Sequence, residues 1–273
     1  MTEENRLRAN LVEALGTRPL REITREELQT LLDIKTRQQA QSMVAHHRFR
    51  LRSIFELAMA EGAVDRNPAA ALFTPRRCQP GRERHVLSPE ELLKMLSVLD
   101  LREQLITRLA TCEGMRPGEV LALQVGDVET TSVWVRRRLY KGDIDTPKTK
   151  RSFRQVALSE GTKRPLDFWV ARLGTSETEA WLFPSENPST PIWRDNVWGR
   201  NMLPRLKPVG LEWATFQVMR RTFATLSKQA GVDAHTRSAQ MGNTVDVNEN
   251  EYAVSSLESK LAAVRRLETT VIQ

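Results

Sequence analysis

A segment rich in proline, glycine and arginine divides the chain. Residues 74–87, TPRRCQPGRERHVL, carry few apolar side chains and lie between two longer stretches with regular apolar spacing. Proline and glycine interrupt helices and strands, and clustered arginines stay in water, so this composition is typical of a linker. The 273 residues suffice for two modest domains. We therefore predict a first domain at 1–78, a basic linker at 79–87 and a second domain at 88–273.

Helical signals dominate the first domain. Thr24 and Glu27 form a capping box before an apolar face, which predicts a helix start. Residues 36–62 run without proline or glycine until Gly62 and predict one long amphipathic helix. The segment NPAAAL, from Asn67, predicts a short further helix. Seven apolar positions of the long helix are expected to face the core of the domain. They are Val44, Phe49, Leu51, Ile54, Phe55, Leu57 and Ala58.

The second domain mixes helices with a little β-structure. Ser88, Pro89 and Glu91 occupy the N-cap, first and third positions of a predicted helix. Further helices are predicted at about 100–112 and 117–124 and again from Gly161 onward, whereas β-branched alternation predicts strands. The fold class is therefore mainly α, with a helical first domain and a mostly helical second domain that carries a small antiparallel sheet. The predicted strands cover 129–139 and 152–158, with Thr146–Lys150 in the turn.

Positive charge is concentrated in one segment. The chain carries 41 basic and 34 acidic residues, a net charge of +7, and its pI is about 9.8. Eight basic residues and two acids between 136 and 154 account for +6 of that excess. The segment is either a solvated basic loop or a surface that contacts phosphates. The basic residues are Arg136, Arg137, Arg138, Lys141, Lys148, Lys150, Arg151 and Arg154.

Composition also restricts the compartment and the cofactors. No window approaches the roughly 18 apolar residues of a membrane helix, and the polar start MTEENRLRAN does not resemble a signal peptide. Cys78 and Cys112 lie far apart and match no metal-ligand spacing. We therefore expect a cytoplasmic protein whose two cysteines bind no metal.

Two arginines lie at predicted helix starts beside apolar packing. On a helical wheel of 216–230, Phe216, Met219, Phe223, Leu226 and Ala230 share one face; Arg220 lies at its edge and Arg221 nearly opposite, toward solvent. Arg116 precedes Pro117, and Glu119 three residues later can brace its guanidinium. Such arginines either extend toward water or pair with buried acids, or together they clamp a phosphate in a bidentate manner. A clamp requires Arg116 and Arg220 to lie within about 12 Å of each other, with a sulfate, waters or a carboxylate on Arg220 in the absence of phosphate.

Four motifs follow one another along the second domain: RPGEVLAL, PKTKRSFRQVAL, QVMRRTFATLSKQAG and MGNTVDVNENEYA. In order and spacing they resemble the motifs of the tyrosine recombinases, the integrases of phages and mobile elements. The match covers most of residues 85–254. In that family a histidine lies three residues before the second arginine, a histidine or tryptophan lies 23 residues after it, and the nucleophilic tyrosine follows nine residues later. These positions are Gln217, Arg220, Asn243 and Tyr252 here.

The resemblance implies a reaction and roles for these residues. Tyr252 would attack a DNA phosphate and form a 3′-phosphotyrosine, with neither ATP nor metal required. Arg116 and Arg220 would stabilise the transition state, and Glu119 would orient Arg116. Lys148 would protonate the leaving oxygen, with Lys150 as the alternative because the hairpin length does not fix the alignment.

Both family histidines are replaced. Glutamine and asparagine can donate hydrogen bonds to a phosphate but cannot carry a proton at neutral pH. We expect a competent enzyme, because both positions vary in the family. A DNA-binding pseudo-recombinase that does not cut is the first alternative. A type IB topoisomerase is the second, although the spacing and the helical domain in front argue against it. A structural helical protein would make all four motif matches coincidental.

The resemblance also implies the partners. Double-stranded DNA with an attachment core site is the expected partner, gripped by both domains and held mainly through phosphates. We expect a monomer in free solution and a homotetramer on DNA. An amphipathic helix predicted after Tyr252, with Leu257, Leu261, Val264 and Leu267, packs either on a neighbouring protomer or on its own domain. The residues expected to contact DNA are Arg48, Arg50, Arg52, Arg76, Arg77, Arg82, Arg84, Lys150 and Arg151.

Overall fold

The structure, a computed structural model, describes residues 5, 7–16, 18–81, 83–145 and 153–247. The chain separates into two compact units, Met1–Glu83 and Arg84–Gln273. The predicted division into a first domain at 1–78, a basic linker at 79–87 and a second domain at 88–273 stays a prediction. Among the described residues, no helix is long and apolar enough to cross a membrane.

The first unit is helical. Short turns of helix at Arg8–Val12, Glu13–Leu15 and Leu20–Glu22 precede helices α1 (Arg25–Thr36) and α2 (Gln41–Ala60). Thr24 and Glu27 form the predicted capping box at the start of α1. The core of the unit includes Leu28, Leu32, Val44, Leu51 and Phe55.

Three predictions for this unit are wrong in detail. The long helix begins at Gln41 rather than at 36, because α1 continues to Thr36 and a short connection follows. Phe49, Ile54 and Leu57 are exposed, whereas His47 is buried and its Nε2 lies 2.7 Å from Oε1 of Gln39. The segment after Asn67 is a turn rather than a helix.

The second unit is mostly helical with two small sheets. Its helices are α3 (Pro89–Val98), α4 (Leu101–Thr111), α5 (Pro117–Val120), α6 (Glu160–Leu173), α7 (Phe216–Gln229) and α8 (Ala234–Met241). Its strands are β1 (Ser132–Val135), β2 (Arg138–Tyr140), β3 (Asp143–Asp145) and β4 (Arg154–Ala157). Shorter helical turns lie at Val125–Asp127, Arg194–Asn196, Val197–Met202, Leu203–Leu206, Lys207–Val209 and Val245–Val247.

The strands pair in two antiparallel ladders. Strand β1 pairs with β4, placing Val135 opposite Arg154, and β2 pairs with β3, placing Tyr140 opposite Asp143. The predicted strand at 129–139 is therefore two strands with different partners, and β3 was missed because its sequence, Asp-Ile-Asp, carries a single apolar residue. The mainly α fold with a small antiparallel component is confirmed.

One core fills the second unit and brings α7 against α4. It includes Leu105, Ile106 and Leu109 of α4 and Phe216 and Met219 of α7. The capping box of Ser88 and Glu91 begins α3 as predicted. The helix predicted at 117–124 is shorter, since α5 ends at Val120.

The buried residues of α7 differ from those that the helical wheel predicted. Phe223 and Leu226 are half-buried and Ala230 is exposed, whereas Arg220 and Thr222 are buried. Arg221 is half-buried rather than turned to solvent, and its Nη1 donates to the backbone oxygen of His85 at 2.9 Å. The helix thus packs on more than one side, which a two-sided wheel does not anticipate.

Candidate active site

Arg116 is fixed at the start of α5. Its backbone N–H donates to Oε2 of Glu119 at 3.0 Å, and its Nη1 donates to Oε1 of Glu119 at 2.7 Å. Pro117 occupies the first helical position, where its missing N–H costs nothing. The guanidinium also donates to the backbone oxygens of Met241 at 3.3 Å and Gly242 at 2.9 Å. The predicted brace between Glu119 and Arg116 is present in the structure.

Glu119 is buried between two arginines. Besides Arg116, it accepts from Nη1 of Arg154 at 3.2 Å and from Nη2 of Arg154 at 2.9 Å. Burial, the largest influence, raises the pKa of this carboxyl group. The hydrogen bond and charge of Arg154, together with the charge of Arg116, outweigh burial and hold the pKa of Glu119 below its ordinary value. Glu119 therefore remains a carboxylate inside the protein.

Arg220 is buried in the interior of the second unit, with only 3% of its surface exposed. Its Nη1 donates to the backbone oxygen of Gly114, and its Nη2 donates to that of Met241 at 2.7 Å. The expectation of a sulfate, waters or a carboxylate at this group stays a prediction. Backbone carbonyls at the ends of two segments solvate the charge, and no side-chain pattern in the sequence indicates this contribution.

Asn243 joins the two arginines. Its Oδ1 accepts from Nη2 of Arg116 at 2.5 Å and from Nη2 of Arg220 at 2.9 Å. Because both guanidinium groups reach the same oxygen atom, they lie well within the 12 Å that the clamp requires. The Nδ2 of Asn243 is buried and has no hydrogen-bond partner among the described residues. The arginines can only donate, so they dictate which end of the amide faces them.

The turn after α8 delivers Asn243 to this position. Gly242 has a φ of +65°, the left-handed conformation that ends many helices and that glycine adopts without strain. A Cβ at Gly242 would lie 2.6 Å from Nη1 of Arg154. Any larger residue would therefore both strain the turn and displace a buried guanidinium.

An open cavity of about 870 Å³ lies over the arginines. Gln217, which is exposed on the first turn of α7, lines it together with Arg116 and Arg220. The β2–β3 hairpin and the residues after Ile192 contribute further charged and aromatic side chains to its wall. These include Arg138, Tyr140, Lys141, Trp193 and Arg194.

The basic segment is only partly a free surface. Arg136 and Arg137 both bind the buried carboxylate of Asp127, at 3.2 and 2.6 Å, and Arg138 binds Asp145 at 2.7 Å. Arg154 was counted as a potential phosphate contact, but it is buried on Glu119, and that interpretation is wrong. Arg154 and Val156 share the inward face of β4, with exposed Gln155 between them, and this alternation is the signal that the sequence offered.

The residues predicted to contact DNA lie mostly on the surfaces of their own units. Arg48, Arg52, Arg76, Arg77 and Arg84 are exposed and Arg50 is half-buried, while Arg52 pairs with Glu56 at 2.8 Å. The predicted nucleophile, the predicted general acid and its alternative, two predicted DNA contacts and the predicted C-terminal helix lie outside the described residues. These are Tyr252, Lys148, Lys150, Arg82, Arg151 and the helix containing Leu257, Leu261, Val264 and Leu267. Within the described part of the chain, no group of three or more His, Cys, Asp or Glu residues could hold a metal ion.

Comparison with family models identifies the class. A model described as the phage integrase family matches residues 85–254, and one described as the phage integrase central domain matches residues 2–74. The first match alone covers more than half of the chain. The chain therefore belongs to the phage integrase family, the tyrosine recombinases that its motifs resemble.

Two curated relatives come from Sinorhizobium fredii, and their names describe integrase/recombinases. Protein y4qK is 30% identical over 200 residues, which cover 71% of this chain and 58% of the relative. Protein y4eF is 29% identical over 187 residues, which cover 66% of this chain and 68% of the relative. The chain thus spans 58% of the length of the first relative.

Solved structures with similar folds are integrases and a recombinase. The Tn1549 transposon integrase in complex with transposon right end DNA has a TM-score of 0.75 at 19% identity, covering 97% of this chain and 91% of that one. A lambda integrase dimer bound to a core site has a TM-score of 0.64 at 19% identity, covering 94% and 75%. XerA recombinase has a TM-score of 0.55 at 18% identity, covering 98% and 90%. At these identities the likeness establishes the fold.

Proposed function

We propose that the chain is a site-specific DNA recombinase that cleaves and rejoins DNA through a 3′-phosphotyrosine, for integration or excision of a mobile element. The convergence of Arg116 and Arg220 on Oδ1 of Asn243 carries this proposal. Two like charges that line the open cavity are held at one acceptor, an arrangement that suits a doubly liganded phosphate. Family membership and the spacing from Arg220 to Tyr252 support the same reaction.

Asn243 takes the place of a titrating donor. Its amide oxygen faces the arginines, so its Nδ2 group is the end left to donate, and it has no partner among the described residues. A phosphate oxygen would satisfy this buried donor, which otherwise carries a desolvation cost. Gln217, on the rim of the same cavity, would donate to a second phosphate oxygen. Neither amide transfers a proton.

The proposed cleavage step transfers a phosphoryl group from the DNA to Tyr252. The phenolic oxygen of Tyr252 attacks phosphorus, and its proton passes to water because Gln217 and Asn243 cannot accept it. The bond from phosphorus to the 5′ oxygen breaks, and Lys148, or Lys150 in its place, donates a proton to that leaving oxygen. Arg116 and Arg220 offset the charge that accumulates on the phosphoryl oxygens. Rejoining reverses these transfers with a 5′ hydroxyl as the nucleophile.

Double-stranded DNA is the proposed substrate, bound by exposed arginines of both units. A net charge of +7 and the exposed side chains of Arg76, Arg77 and Arg84 support a sequence-independent grip on phosphates. The proposed assembly is a homotetramer on DNA that forms from free monomers. The lambda integrase structure described as a tetramer bound to a Holliday junction provides the template for this assembly.

Covalent trapping tests the proposal. The full chain would be mixed with a nicked duplex carrying the core site taken from the ends of its element, so that the released fragment diffuses away and rejoining stops. We expect a protein–DNA band that resists SDS in the wild type and is absent in Tyr252→Phe. Both proteins should shift the same duplex in a native gel, since the substitution removes one hydroxyl group.

The alternative function has a distinct outcome in the same experiment. If the wild type shifts the duplex but forms no covalent band, the chain is a DNA-binding pseudo-recombinase. The amides at Gln217 and Asn243 are the observation that favours this alternative. The double variant Gln217→His/Asn243→His should then gain a covalent band, and a band that persists in Tyr252→Phe would refute the proposed nucleophile.

A further inference from the structure

Arg154 connects α5, which follows Arg116, with the end of α8, whose carbonyls accept from both active-site arginines. It lies on β4 with only 8% of its surface exposed, at the position paired with Val135. Its Nε donates to the backbone oxygen of Gln240 at 2.9 Å, and its two terminal nitrogens donate to separate oxygens of Glu119 at 3.2 and 2.9 Å. One buried guanidinium thus binds both α5 and the end of α8.

Successive carbonyls at the end of α8 are shared among three arginines. The oxygen of Gln240 accepts from Arg154, that of Met241 from both Arg220 and Arg116, and that of Gly242 from Arg116. Asn243 follows directly and closes the set. The position of Asn243 therefore depends on how firmly the carbonyl of Gln240 is held.

Arg154 holds the carboxylate of Glu119 in place, and Glu119 in turn holds the guanidinium of Arg116. The carboxylate is nearly fully buried, and it uses one oxygen for both arginine side chains and the other for Arg154 and the backbone of Arg116. Buried carboxylates are costly unless they are paired. Removing Arg154 would leave this one with Arg116 alone and free its position to shift.

We propose that Arg154 is a positioning residue for the cleavage reaction, holding Glu119 and the end of α8 so that Arg116 and Asn243 meet the same phosphate. This inference rests on the proposed function. A planar fork is required because Arg154 donates in three directions at once. Lysine keeps the charge, but a single ammonium cannot reproduce that geometry.

Loss of Arg154 has a consequence for pH dependence. Glu119 faces Arg154 from β4 and Arg116 from its own element, and these charges oppose the effect of burial. Without Arg154, the two largest influences that lower the pKa of Glu119 are lost, and that pKa rises. The carboxylate would then protonate as the pH falls, and its brace on Arg116 would weaken. A purely structural role would lower activity equally at every pH.

The test measures the rate of covalent complex formation on the nicked duplex between about pH 8 and about pH 5. We expect Arg154→Lys and Arg154→Met to react about 10²-fold more slowly than the wild type at the upper end, the loss typical of a misplaced catalytic group. The deficit of Arg154→Met should deepen as the pH falls, whereas lysine keeps a positive charge beside Glu119 and should show a smaller change with pH. In Arg154→Met/Glu119→Gln the added low-pH loss should vanish, because no carboxyl group remains to titrate. If Arg154→Met alone fails to fold, this double variant can replace it, because it has lost both buried charges.

Arg137→Met is the matched control. Arg137 also serves a buried carboxylate, Asp127, at 2.6 Å, together with Arg136 at 3.2 Å. Its loss should lower stability while the pH profile of cleavage keeps the wild-type shape. An Arg154→Met variant that loses rate by the same factor at every pH, or a variant of either kind that cleaves at the wild-type rate, would overturn the proposal.

A second measurement separates this inference from the proposed function. If the wild type forms no covalent complex, binding of inorganic phosphate is followed by the shift in Tm instead. We expect phosphate to raise the Tm of the wild type and of Arg137→Met, and to leave that of Arg154→Lys unchanged. A wild type that ignores phosphate, or an Arg154→Lys variant that responds fully, would reject the positioning role.

Discussion

At the scale of single residues, Asn243 has the most informative environment. Its side-chain oxygen accepts from Arg116 and Arg220, while its nitrogen has no partner in the described part of the chain. The amide oxygen is therefore the acceptor that the two arginines share. An amide acceptor leaves both positive charges intact, so the pair still attracts an anion.

Replacement of this amide by a carboxylate should separate stability from activity. Asn243→Asp would place a negative charge between two guanidinium groups, and we expect it to stabilise the fold by about 1–3 kcal/mol. The same charge would compete with phosphate, and cleavage should fall by about 10²–10³-fold. Thermal unfolding and covalent trapping measure the two effects on one protein.

Asn243→Ala is the control for this prediction. It removes the shared acceptor without adding charge, so the fold should be less stable and the fall in cleavage smaller than that for Asn243→Asp. If Asn243→Asp cleaves as fast as the wild type, the amide oxygen does not lie between the arginines during the reaction.

Sequence reasoning located the arginines but not what holds them. Helical spacing placed Arg220 at the edge of a core, and the pair Arg116 and Glu119 was evident from a spacing of three residues. The backbone oxygens of Gly114 and Met241 carry no sequence signal, because every residue has a carbonyl. Arg154 was misassigned because charge was counted along the chain, whereas strand alternation turned this residue inward.

At the scale of elements, strand β2 packs tightly on the helix that begins at Arg116. A Cβ on Gly118 of α5 would lie 2.5 Å from the backbone oxygen of Leu139. Backbone cannot move aside as a flexible side chain does, so glycine is required for this approach. The contact fixes the base of the β2–β3 hairpin relative to Arg116.

Gly118→Ala should therefore destabilise the second unit. We expect a loss of about 1–3 kcal/mol in the free energy of unfolding from overpacking, measured by urea titration. Gly199→Ala is the matched control, since Gly199 lies in the helical stretch Val197–Met202 with no atom within 4 Å of a new Cβ. That variant should gain about 0.5–1 kcal/mol from helix propensity. Equal effects at the two glycines would contradict the packing of β2 on α5.

Helix starts were predictable, whereas strand partners were not. Ser88 with Glu91 and Thr24 with Glu27 encode their caps within four residues, so local sequence suffices. The pairing of β2 with β3 depends on a tight turn at Lys141 and Gly142, which both have positive φ. A lysine in the sequence does not predict a positive φ. The break between β1 and β2 was not predicted because the apolar alternation continues through it.

At the scale of the whole molecule, charge is the property that acts at a distance. Each unit has its own apolar core, and exposed arginines lie on both. Binding to duplex DNA of arbitrary sequence should weaken as salt rises, because each neutralised phosphate releases counterions. This behaviour can be measured without knowledge of the recombination site.

Arg76→Ala and Arg77→Ala should each reduce the slope of log Kobs against log salt by about 1, the value for one phosphate contact. Fluorescence anisotropy with a labelled duplex provides the measurement. Arg164→Ala is the control, since Arg164 is exposed on α6, pairs with Glu160 at 3.0 Å and is not among the predicted contacts. An unchanged slope in the Arg76 and Arg77 variants would remove both residues from the DNA surface.

The carbonyls around Arg220 offset the repulsion between the two arginines during folding rather than during the reaction. Bringing two cations together opposes folding, and the oxygens of Gly114 and Met241 offset that repulsion while the protein folds, before any DNA arrives. A phosphate then meets dipoles and charges that are already oriented, so little reorganisation energy opposes the transition state. The slow step of the proposed reaction should therefore lie in assembling DNA and protein, rather than in gathering the arginines.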